Sequence, residues 1–545
     1  MRIFIACLTL MFLSACGGMS SDRRSKADLL VYNGLIYTVD SSFSTVNAMA
    51  ISNGEILETG SLESLAQKFL FSDSLDLNGK YVYPGLIDAH AHFRNYAQTL
   101  MRVDLSETTS WEECLARVQE FAETVTEGPI LGRGWDQNDW ESQKYPTRVE
   151  LDQMFPNRPV LLTRIDGHGG IANKVALDLA GLTIDSKIDG GEIFIENGSL
   201  TGVVLDAAKS KVKNALPRES NNEYTKALIQ AEKNCFEVGL TGLMDAGLPR
   251  SDIEILDSLQ KIDSLHLPLN VMVSISWEAL DFYSEEGPYE TDLMKVNSFK
   301  VYADGALGSR GAYLKEPYHD RHDWTGFLVT DSATIFDLAV SIEEMGFQMN
   351  THAIGDGGNR IVLEAYQAAL KGENDRRWRI EHAQVVTPSD YPLFKENSII
   401  PSVQPTHATS DMYWAEDRLG KHRIKHAYAY NDLKNIHGWL PLGTDFPVEK
   451  IDPKLTFCSA VFRQDADGFP EGGFNSENKL TRIDALRGMT IWAATSAFWE
   501  HSRGSLEPGK RADFIVVGTD WMTAAQKDIR ASSINRTYIN GERVH

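Results

Sequence analysis

The sequence of 545 residues predicts an α/β fold, a TIM-like (β/α)8 barrel with a composite β-sandwich formed by both chain termini. Three observations support this prediction. Short apolar segments alternate with helical patterns through the middle of the chain. Segments rich in β-branched and aromatic residues, broken by Asn-Gly, occur at both ends. A His, Lys or Asp falls near the end of almost every central strand, where barrel enzymes place their active sites.

The N-terminal segment precedes the predicted fold and has the pattern of an export signal. Arg2 is followed by the apolar run "IFIACLTLMFL", then by "LSAC" and a polar stretch. The run is too short for a stable membrane span. We predict a signal peptide at 1–15, lipidation of Cys16 and a tether at 16–27, as in an exported bacterial lipoprotein anchored in the cell-envelope membrane, periplasmic or on its outer face. A signal cleaved without lipidation and an uncleaved anchor are the alternatives.

Asn-Gly pairs mark the predicted β-sandwich. Residues 28–85 contain three of them, and Asn540-Gly541 lies in the last segment, 476–545. Asn-Gly suits the positive φ angles of tight hairpin turns. Either terminal segment alone would have a thin core, so we predict that both join in one sandwich.

The central region, residues 86–475, is predicted to form the barrel. A doubly wound sheet is less favoured because no GxGxxG follows an early strand. A stretch at about 94–158 is too long for a simple loop, and its Trp, Gly and Pro content predicts a folded insertion near the barrel mouth. The predicted barrel strands lie in "YVYPGLIDAH", "PVLLTRIDGH", "GLTGLMDAG", "NSFKVYADG", "FQMNTHAIG", "WRIEHAQ", "SIIPSVQPTH" and "WLPLGTDFP".

Composition and charge exclude several classes of partner. With 42% hydrophobic and 24% charged residues the chain is globular, and its net charge of −23 would repel nucleic acid and anionic membrane surfaces. We therefore expect no nucleic acid as a partner. The expected partner is a small-molecule substrate, and a homo-oligomer stays open. Cys114, Cys235 and Cys458 are widely separated, so we predict buried apolar cysteines rather than disulfides or a zinc knuckle.

Five strand-end residues form a candidate metal site. His90 and His92 lie two apart on one strand and would point the same way. His352, His382 and Asp445 end three later predicted strands. Four imidazoles and a carboxylate suit Zn²⁺ with a position left for water. Any one of them alone would more often be a buried structural histidine or a helix-capping aspartate, but the five together favour metal.

Lys300, in "SFKVYADG", lies inside an apolar strand. A buried lysine is costly unless it loses its charge or finds a partner. Carbamylation by CO₂ would turn it into an anionic oxygen ligand able to bridge two metal ions. The alternative is an ion pair with a buried acid such as Asp304.

Four further residues are candidates for substrate binding. His168 and His407 end the second and seventh predicted strands, where a hydrogen bond to substrate or to an oxyanion is feasible. Asp304 and Arg310 follow in "ADGALGSRG", where a guanidinium can bind an anionic group. The alternatives are loop anchors for the histidines and a structural ion pair for Arg310.

The motifs "PGLIDAHAH", "FKVYADGALGSRGAYLKEPY", "THAIGDGGNR", "RIEHAQ", "LGTDFPVE" and "GSLEPGKRADFIVV" resemble those of the amidohydrolase superfamily, in the branch resembling N-substituted formamide deformylase. The resemblance runs in the family's order from about residue 28 to the C-terminus. It implies a metallo-hydrolase barrel with one or two divalent ions; some members use a single metal and no modified lysine. The implied ligands are His90, His92 and Asp445 for one ion and His352 and His382 for a second, with carbamylated Lys300 between them.

This resemblance implies a metal-dependent hydrolase of carbon–nitrogen bonds other than peptide bonds. A metal would lower the pKa of bound water toward ~7 and polarise the carbonyl. Asp445 would be the catalytic residue, accepting the proton of the water and passing it to the leaving nitrogen. The alternatives are a deaminase or cyclic amidase with the same site and, in another class, a non-catalytic binding or regulatory lipoprotein on this scaffold.

Overall fold

The computed structural model describes residues 24–217 and 221–545. The predicted signal peptide at 1–15 and the lipidation site Cys16 lie outside these ranges. Three sheets organise the chain: one from both termini, one in the barrel and one inserted between the first two barrel strands. None of the helices within the described ranges is long and apolar enough to cross a membrane.

The terminal sheet has eight strands and joins the two ends of the chain. Tyr81–Pro84 pairs antiparallel with Phe514–Val517, and apolar side chains from both ends, among them Val31 and Phe514, share one core. The prediction that both termini build one β unit is confirmed. Its strands are Ser25–Tyr37, Thr45–Ser52, Glu55–Gly60, Phe69–Asp76, Tyr81–Pro84, Phe514–Val517, Ile534–Ile539 and Glu542–Arg543.

The barrel contains seven parallel strands and is nearly closed, which confirms the predicted fold class. They are Leu86–Ala91, Leu240–Leu248, Leu269–Ser274, Met294–Tyr302, Gln348–Ala353, Arg379–His382 and Ile400–Ser402, called the first to seventh barrel strands below. A two-residue strand, Tyr289–Glu290, pairs with the fourth.

Residues 440–446, here called the closing segment, occupy the gap between the seventh and first barrel strands. Leu442 forms a parallel bridge with Val403. On the other side, Ala89 N donates to Leu442 O and Asp445 N donates to His90 O, at 3.1 and 2.7 Å. The segment predicted as an eighth strand thus fills the eighth position through a few backbone contacts rather than as a regular strand.

The strand predicted in "PVLLTRIDGH" is not a barrel strand. Val160–Arg164 pairs with Ile130–Trp135 and Gly169–Ala172 in the inserted sheet. The second position belongs to Leu240–Leu248, and Leu269–Ser274 is a barrel strand that we did not predict. The error has a physical basis: a short buried strand is apolar whichever sheet it joins.

The inserted sheet extends beyond the stretch at about 94–158 in which we expected an insertion. Its six strands, in spatial order, are Gly191–Glu196, Ser199–Asp206, Gly169–Ala172, Val160–Arg164, Ile130–Trp135 and Arg102–Asp104.

One predicted strand, "YVYPGLIDAH", is divided between two sheets. Tyr81–Pro84 belongs to the terminal sheet and Leu86–Ala91 to the barrel. Gly85 lies between them, where a Cβ would come within 2.1 Å of Thr241 Oγ1. The chain therefore passes from one sheet to the other at a point that admits no side chain.

Cys114, Cys235 and Cys458 are free and buried, as predicted.

Helices cover the three sheets. The α-helices are Leu62–Lys68, Phe93–Leu100, Trp111–Thr124, Val149–Met154, Lys174–Leu179, Ala207–Ala215, Asn221–Glu237, Arg250–Lys261, Trp277–Glu286, Ser332–Glu344, Asp356–Leu370, Tyr391–Glu396, Pro405–Asp411, Ala415–Arg423, Tyr430–His437, Pro453–Phe462, Arg482–Gly488, Ile491–Ser496 and Gln526–Ala531. Short 3-10 turns occur at Gln137–Asp139, Pro388–Asp390, Ile424–His426 and Ser476–Asn478.

Candidate metal centre

His90, His92 and Asp445 form the first ligand group. His90 lies in the first barrel strand and His92 directly follows it. His92 Nε2 lies 3.2 Å, and His90 Nε2 3.6 Å, from the same oxygen, Asp445 Oδ1. One ligand atom from each residue lies within 4.8 Å of the others. The predicted chelate of two histidines and the aspartate is therefore brought together at the carboxyl end of the barrel strands.

The other ring nitrogens of this group are held by hydrogen bonds. His90 Nδ1 donates to Glu381 Oε2 at 2.6 Å, and His92 Nδ1 donates to the carbonyl of Ala246 at 2.8 Å. A proton on Nδ1 leaves the lone pair on Nε2, and this tautomer of the neutral imidazole binds metal through Nε2. Both imidazoles are thus oriented before any ion binds.

Asp88 connects the first barrel strand to the closing segment and so positions Asp445. Asp88 Oδ1 accepts from the backbone N–H of His90 and of Thr444, both at 3.0 Å, and Oδ2 accepts from the Thr444 hydroxyl at 2.7 Å. Burial raises the pKa of Asp88 to about 7. Asp445 itself has a left-handed backbone, with φ of 64°. Such strain at a chemically important side chain is typical of functional sites.

His382, His407 and Asp445 form the second ligand group, again with one atom of each within 4.8 Å of the others. His407 Nε2 lies 3.5 Å from Asp445 Oδ2, and the rings of His382 and His407 stack with centroids 5.8 Å apart. His382 Nδ1, His407 Nε2 and Asp445 Oδ1 are buried and have no hydrogen-bond partner. Buried polar atoms are rarely left unsatisfied, so these donor atoms fit a divalent metal.

His352 lies beside the second group but outside it. Its ring centroid is 4.5 Å from that of His382, while its Nε2 lies 3.7 Å from Asp304 Oδ1 and has no hydrogen bond. The ligand role of His352 stays a prediction. His407, which we expected to contact substrate, is the histidine that groups with His382 and Asp445.

Lys300 is buried next to the first ligand group. Its Nζ lies 3.0 Å from His90 Nε2 and 5.2 Å from the centre of the Tyr302 ring. No ion pair joins it to Asp304 in the described chain. Burial lowers the pKa of Lys300 to about 8, which increases the fraction of neutral amine, the form that reacts with CO₂. The carbamate itself stays a prediction.

The charges around the site favour metal-binding protonation states. Burial and the charge of Lys300 lower the pKa of His90 to about 4, so its imidazole is neutral at pH 7. Burial alone would raise the pKa of Asp445, but the adjacent His92 and the neighbouring histidines hold it well below its usual value. Neutral imidazoles and an ionised carboxylate are the forms that ligate metal.

Glu381 orients the candidate ligand His90, and our sequence analysis missed it. Burial would raise its pKa, but Arg379, whose Nε lies 3.0 Å from Glu381 Oε1, and His90 hold it at about 2. The signal was present in "RIEH": Arg379 and Glu381 are two apart on a buried strand, so both point to one face. A charged pair inside such a strand indicates a polar barrel interior.

Three other predicted residues have structural contacts. His168 is exposed and its Nδ1 donates to Asp206 Oδ1 at 2.8 Å in the inserted sheet, so its expected position at the barrel rim is wrong. The guanidinium of Arg310 makes two contacts with Asp320, at 3.0 and 2.7 Å. Asp304 is buried and accepts from the backbone N–H of Tyr313, Ile354 and Gly355. These contacts favour the anchoring alternatives over substrate binding.

A cavity of about 370 Å³ opens onto the ligand groups. Its size suits a small molecule. Beside the candidate ligands His92, His352, His382, His407 and Asp445 it is lined by Lys300, Tyr302, Leu307, Ile354, Gln384, Asp411, Trp414, Val448 and Glu449.

Comparison with known proteins places this architecture in one family. Residues 73–545 match the family model described as "Amidohydrolase family". Protein LONG AFTER FAR-RED 3 of Arabidopsis thaliana is 34% identical over 95% of this chain and 92% of that protein. N-substituted formamide deformylase of Arthrobacter pascens is 27% identical over 94% of this chain and 97% of that protein.

A solved structure agrees in both fold and size. An uncharacterized metal-dependent hydrolase from Pyrococcus horikoshii OT3 superposes with a TM-score of 0.76 at 27% identity, over 91% of this chain and 99% of that one. The family implies a divalent metal and a small-molecule substrate, and both ligand groups fit such an ion. The chain therefore belongs to the amidohydrolase family, as its motifs predicted.

Proposed function

We propose that the protein hydrolyses a carbon–nitrogen bond outside the peptide class, in an N-formyl, N-acyl or cyclic amide. One observation carries the proposal. Asp445 is shared by two groups of histidines, lies on a small-molecule cavity and has a carboxylate oxygen without a hydrogen bond. A carboxylate in that position can both bind metal and exchange protons with substrate.

The residues would divide the work as follows. His90, His92 and Asp445 would hold one divalent ion, and His382 with His407 or His352 a second; nitrogen and oxygen ligands favour Zn²⁺. A carbamate on Lys300 would add a ligand beside His90. When bound, the metal supplies a Lewis acid for the amide carbonyl and acidifies a water molecule.

Proton transfer would fall to Asp445. As an ionised carboxylate at neutral pH it can accept a proton from the attacking water and donate it to the leaving nitrogen. The amine would then leave as a neutral molecule, with a carboxylic acid as the second product. The closing segment and Asp88 position this carboxylate at the metal centre.

The test combines metal analysis of the purified chain with a screen of N-formyl, N-acyl and cyclic amides. We expect one or two equivalents of metal, release of an amine and an acid from at least one substrate, and loss of turnover after chelation. Undiminished turnover by metal-free protein would contradict the proposal. Release of ammonia from an amino-heterocycle would favour the deaminase, and metal binding without any turnover the non-catalytic binding protein.

For the N-terminus we propose export and lipidation at Cys16, supported by the sequence pattern alone. Cells grown with a labelled fatty acid should yield labelled protein, and the Cys16→Ala form should carry no label. Equal labelling of both forms would exclude Cys16 as the attachment site.

A further inference from the structure

We propose that Asp411 and Glu449 make the cavity selective for substrates that carry a positively charged group, such as an ammonium or amidinium, in addition to the scissile amide. The inference deepens the proposed function and rests on it. It names a property of the substrate that the metal ligands alone leave open.

Asp411 is held beside the ligand His407. Both lie in the helix Pro405–Asp411, four residues apart, so both side chains occupy one face. Asp411 Oδ2 accepts from the Tyr428 hydroxyl at 2.8 Å and from Gln384 Nε2 at 3.3 Å. Oδ1 accepts no hydrogen bond from the described residues, and Asp411 lines the cavity. One carboxylate oxygen is thus held firmly while the other is free to bind a ligand.

Glu449 follows the candidate ligand Asp445 by four residues and contacts Ser410, the residue that precedes Asp411. Its Oε1 accepts from the Ser410 hydroxyl at 2.6 Å, which ties the chain after the closing segment to the helix that carries Asp411. Throughout the described chain this is the one hydrogen bond of the Glu449 side chain. The two carboxylates therefore come from the two segments that also supply His407 and Asp445.

Basic side chains are scarce around this carboxylate pair. Lys300 is the one Lys or Arg among the described lining residues, and it contacts His90. Arg418, whose guanidinium lies 5.6 Å from the centre of the Trp414 ring, is already bound to Asp320 and to the carbonyl of Gly308. Among the described residues, neither carboxylate is paired with a Lys or Arg side chain.

This imbalance has an energetic consequence for ligands. The pKa of Asp411 is raised first by burial and also by repulsion from the charge of Glu449, against the opposing effects of His407 and of the hydrogen bonds from Tyr428 and Gln384. A cationic group would relieve that repulsion and gain charge-assisted hydrogen bonds. An anionic group would add to the repulsion, and a neutral group would leave it unchanged.

Aromatic side chains complete an environment that accepts a cation. Tyr302 and Trp414 line the same cavity. Aromatic faces attract ammonium and guanidinium groups, and their apolar surface also accommodates an alkyl arm. Leu307 and Ile354 extend that apolar wall. The chemistry fits an amide linked through a short hydrocarbon arm to a basic nitrogen.

The test measures binding apart from turnover. Methanesulfonamides resist hydrolysis, so three ligands of equal length can be titrated into the metal-loaded enzyme by calorimetry: N-(4-aminobutyl)methanesulfonamide, N-pentylmethanesulfonamide and 5-(methanesulfonamido)pentanoate. Their charges are positive, neutral and negative. We expect the cation to bind about tenfold more tightly than the neutral ligand, and the anion to bind most weakly.

Variants connect this preference to the two residues. Glu449→Gln and Asp411→Asn should each reduce the cation's advantage to about threefold or less and leave the affinity of the neutral ligand within about twofold. Glu416→Gln is the matched control, because Glu416 is an exposed acid of the adjacent helix and does not line this cavity. It should keep the full preference. If Asp411→Asn fails to fold, Glu449→Gln alone tests whether the carboxylate pair causes the cation preference.

Two results would overturn the inference: equal or weaker binding of the cation in the unaltered enzyme, or a cation preference that Glu449→Gln and Glu416→Gln retain equally. Failure of the proposed function would look different. The sulfonamides would then bind with the expected order while the corresponding N-acyl amines stayed intact in the same metal-loaded sample.

Discussion

The two ligand groups that share Asp445 differ in how their imidazoles are supported. In the first group, His90 and His92 each donate a hydrogen bond through Nδ1, to Glu381 and to Ala246. In the second, neither His382 nor His407 has a hydrogen-bonded ring nitrogen among the described residues. Ligands that are already oriented lose less entropy on binding. The first group should therefore bind metal more tightly, and the second should gain more order when its ion binds.

The largest effect should come from Asp445, the residue common to both groups. Asp445→Asn removes the proton acceptor, so kcat should fall by about 10²–10⁴-fold. Metal should stay largely bound, because four imidazoles are unchanged. Steady-state kinetics with metal analysis of the same preparation measure both quantities. A variant with substantial turnover would exclude Asp445 as the proton carrier.

Paired replacements separate the two groups directly. His90→Ala with His92→Ala should abolish the tightly bound equivalent of metal, whereas His382→Ala with His407→Ala should leave one equivalent in place. Metal content after dialysis gives the answer, with circular dichroism as a check on folding. Retention of full stoichiometry by the first pair would refute the chelate. Equal losses in both pairs would show that the supports of the first group have no effect on affinity.

Glu381 accounts for much of the proposed difference. Glu381→Gln removes the charge opposite His90, and metal affinity at the first group should fall by about 10–100-fold. Glu343→Gln is a suitable control, since Glu343 pairs with Arg376 at the surface. Competition with a chelator of known affinity measures the change. Unaltered affinity would mean that the hydrogen bond to Ala246 and the chain geometry are enough to orient the first ligand group.

Acidification should release metal at a lower pH than from a site of histidines with ordinary pKa values. Burial lowers the pKa of His90 from 6.5 to about 4, so protons compete with metal only as the pH approaches 4. In the metal-free protein the unfolded chain binds this proton between those two values and the folded chain does not. The free energy of unfolding should therefore fall as pH decreases through that window.

Two measurements check the sign of this dependence. Metal content after dialysis at stepped pH should persist to pH 5, and denaturant titrations of metal-free protein should show lower stability at pH 4.5 than at pH 7. His90→Gln should reduce the second dependence, to which the buried His352, His382 and His437 also contribute. Metal release centred near pH 6.5 would contradict the buried, neutral imidazole.

The smallest effect is expected at Arg310, which lies outside both groups. Because its guanidinium is paired with Asp320, Arg310→Ala should change KM by about threefold or less for substrates of any charge, in line with the modest free energy of an exposed ion pair. A KM increase of more than about tenfold confined to anionic substrates would restore Arg310 as a substrate ligand.

The sequence was informative where a histidine or an aspartate follows an apolar strand. His90, His92, His382 and Asp445 were predicted from their positions, and Asn53-Gly54 has the positive φ angles of the predicted hairpin turn. Asn33-Gly34 does not form a turn. It lies inside Ser25–Tyr37, where the pairing register shifts, because Asn also tolerates a left-handed backbone at an irregular strand.

Other features depended on tertiary context. Leu269–Ser274 has no His, Lys or Asp at its end, so nothing in its sequence distinguished it from other apolar stretches. The charge pair of Asp411 and Glu449 forms across two segments of the chain, and the bond from Ser410 that joins them has no local pattern. Pairings of this kind are set by how the closing segment meets the helix after the seventh barrel strand.

The closing segment makes the candidate metal centre depend on contacts between the two ends of the barrel sequence. Asp88 and Thr444 are 356 positions apart, and their hydrogen bonds form only when nearly the whole barrel sequence is present. Contacts this distant form late in folding, since loop closure is costly. A partly synthesised or partly folded chain therefore lacks the carboxylate that completes both ligand groups. An ion that binds only the complete barrel stabilises it. Metal binding would therefore raise the free energy of unfolding of the fully folded chain and not of partly folded forms.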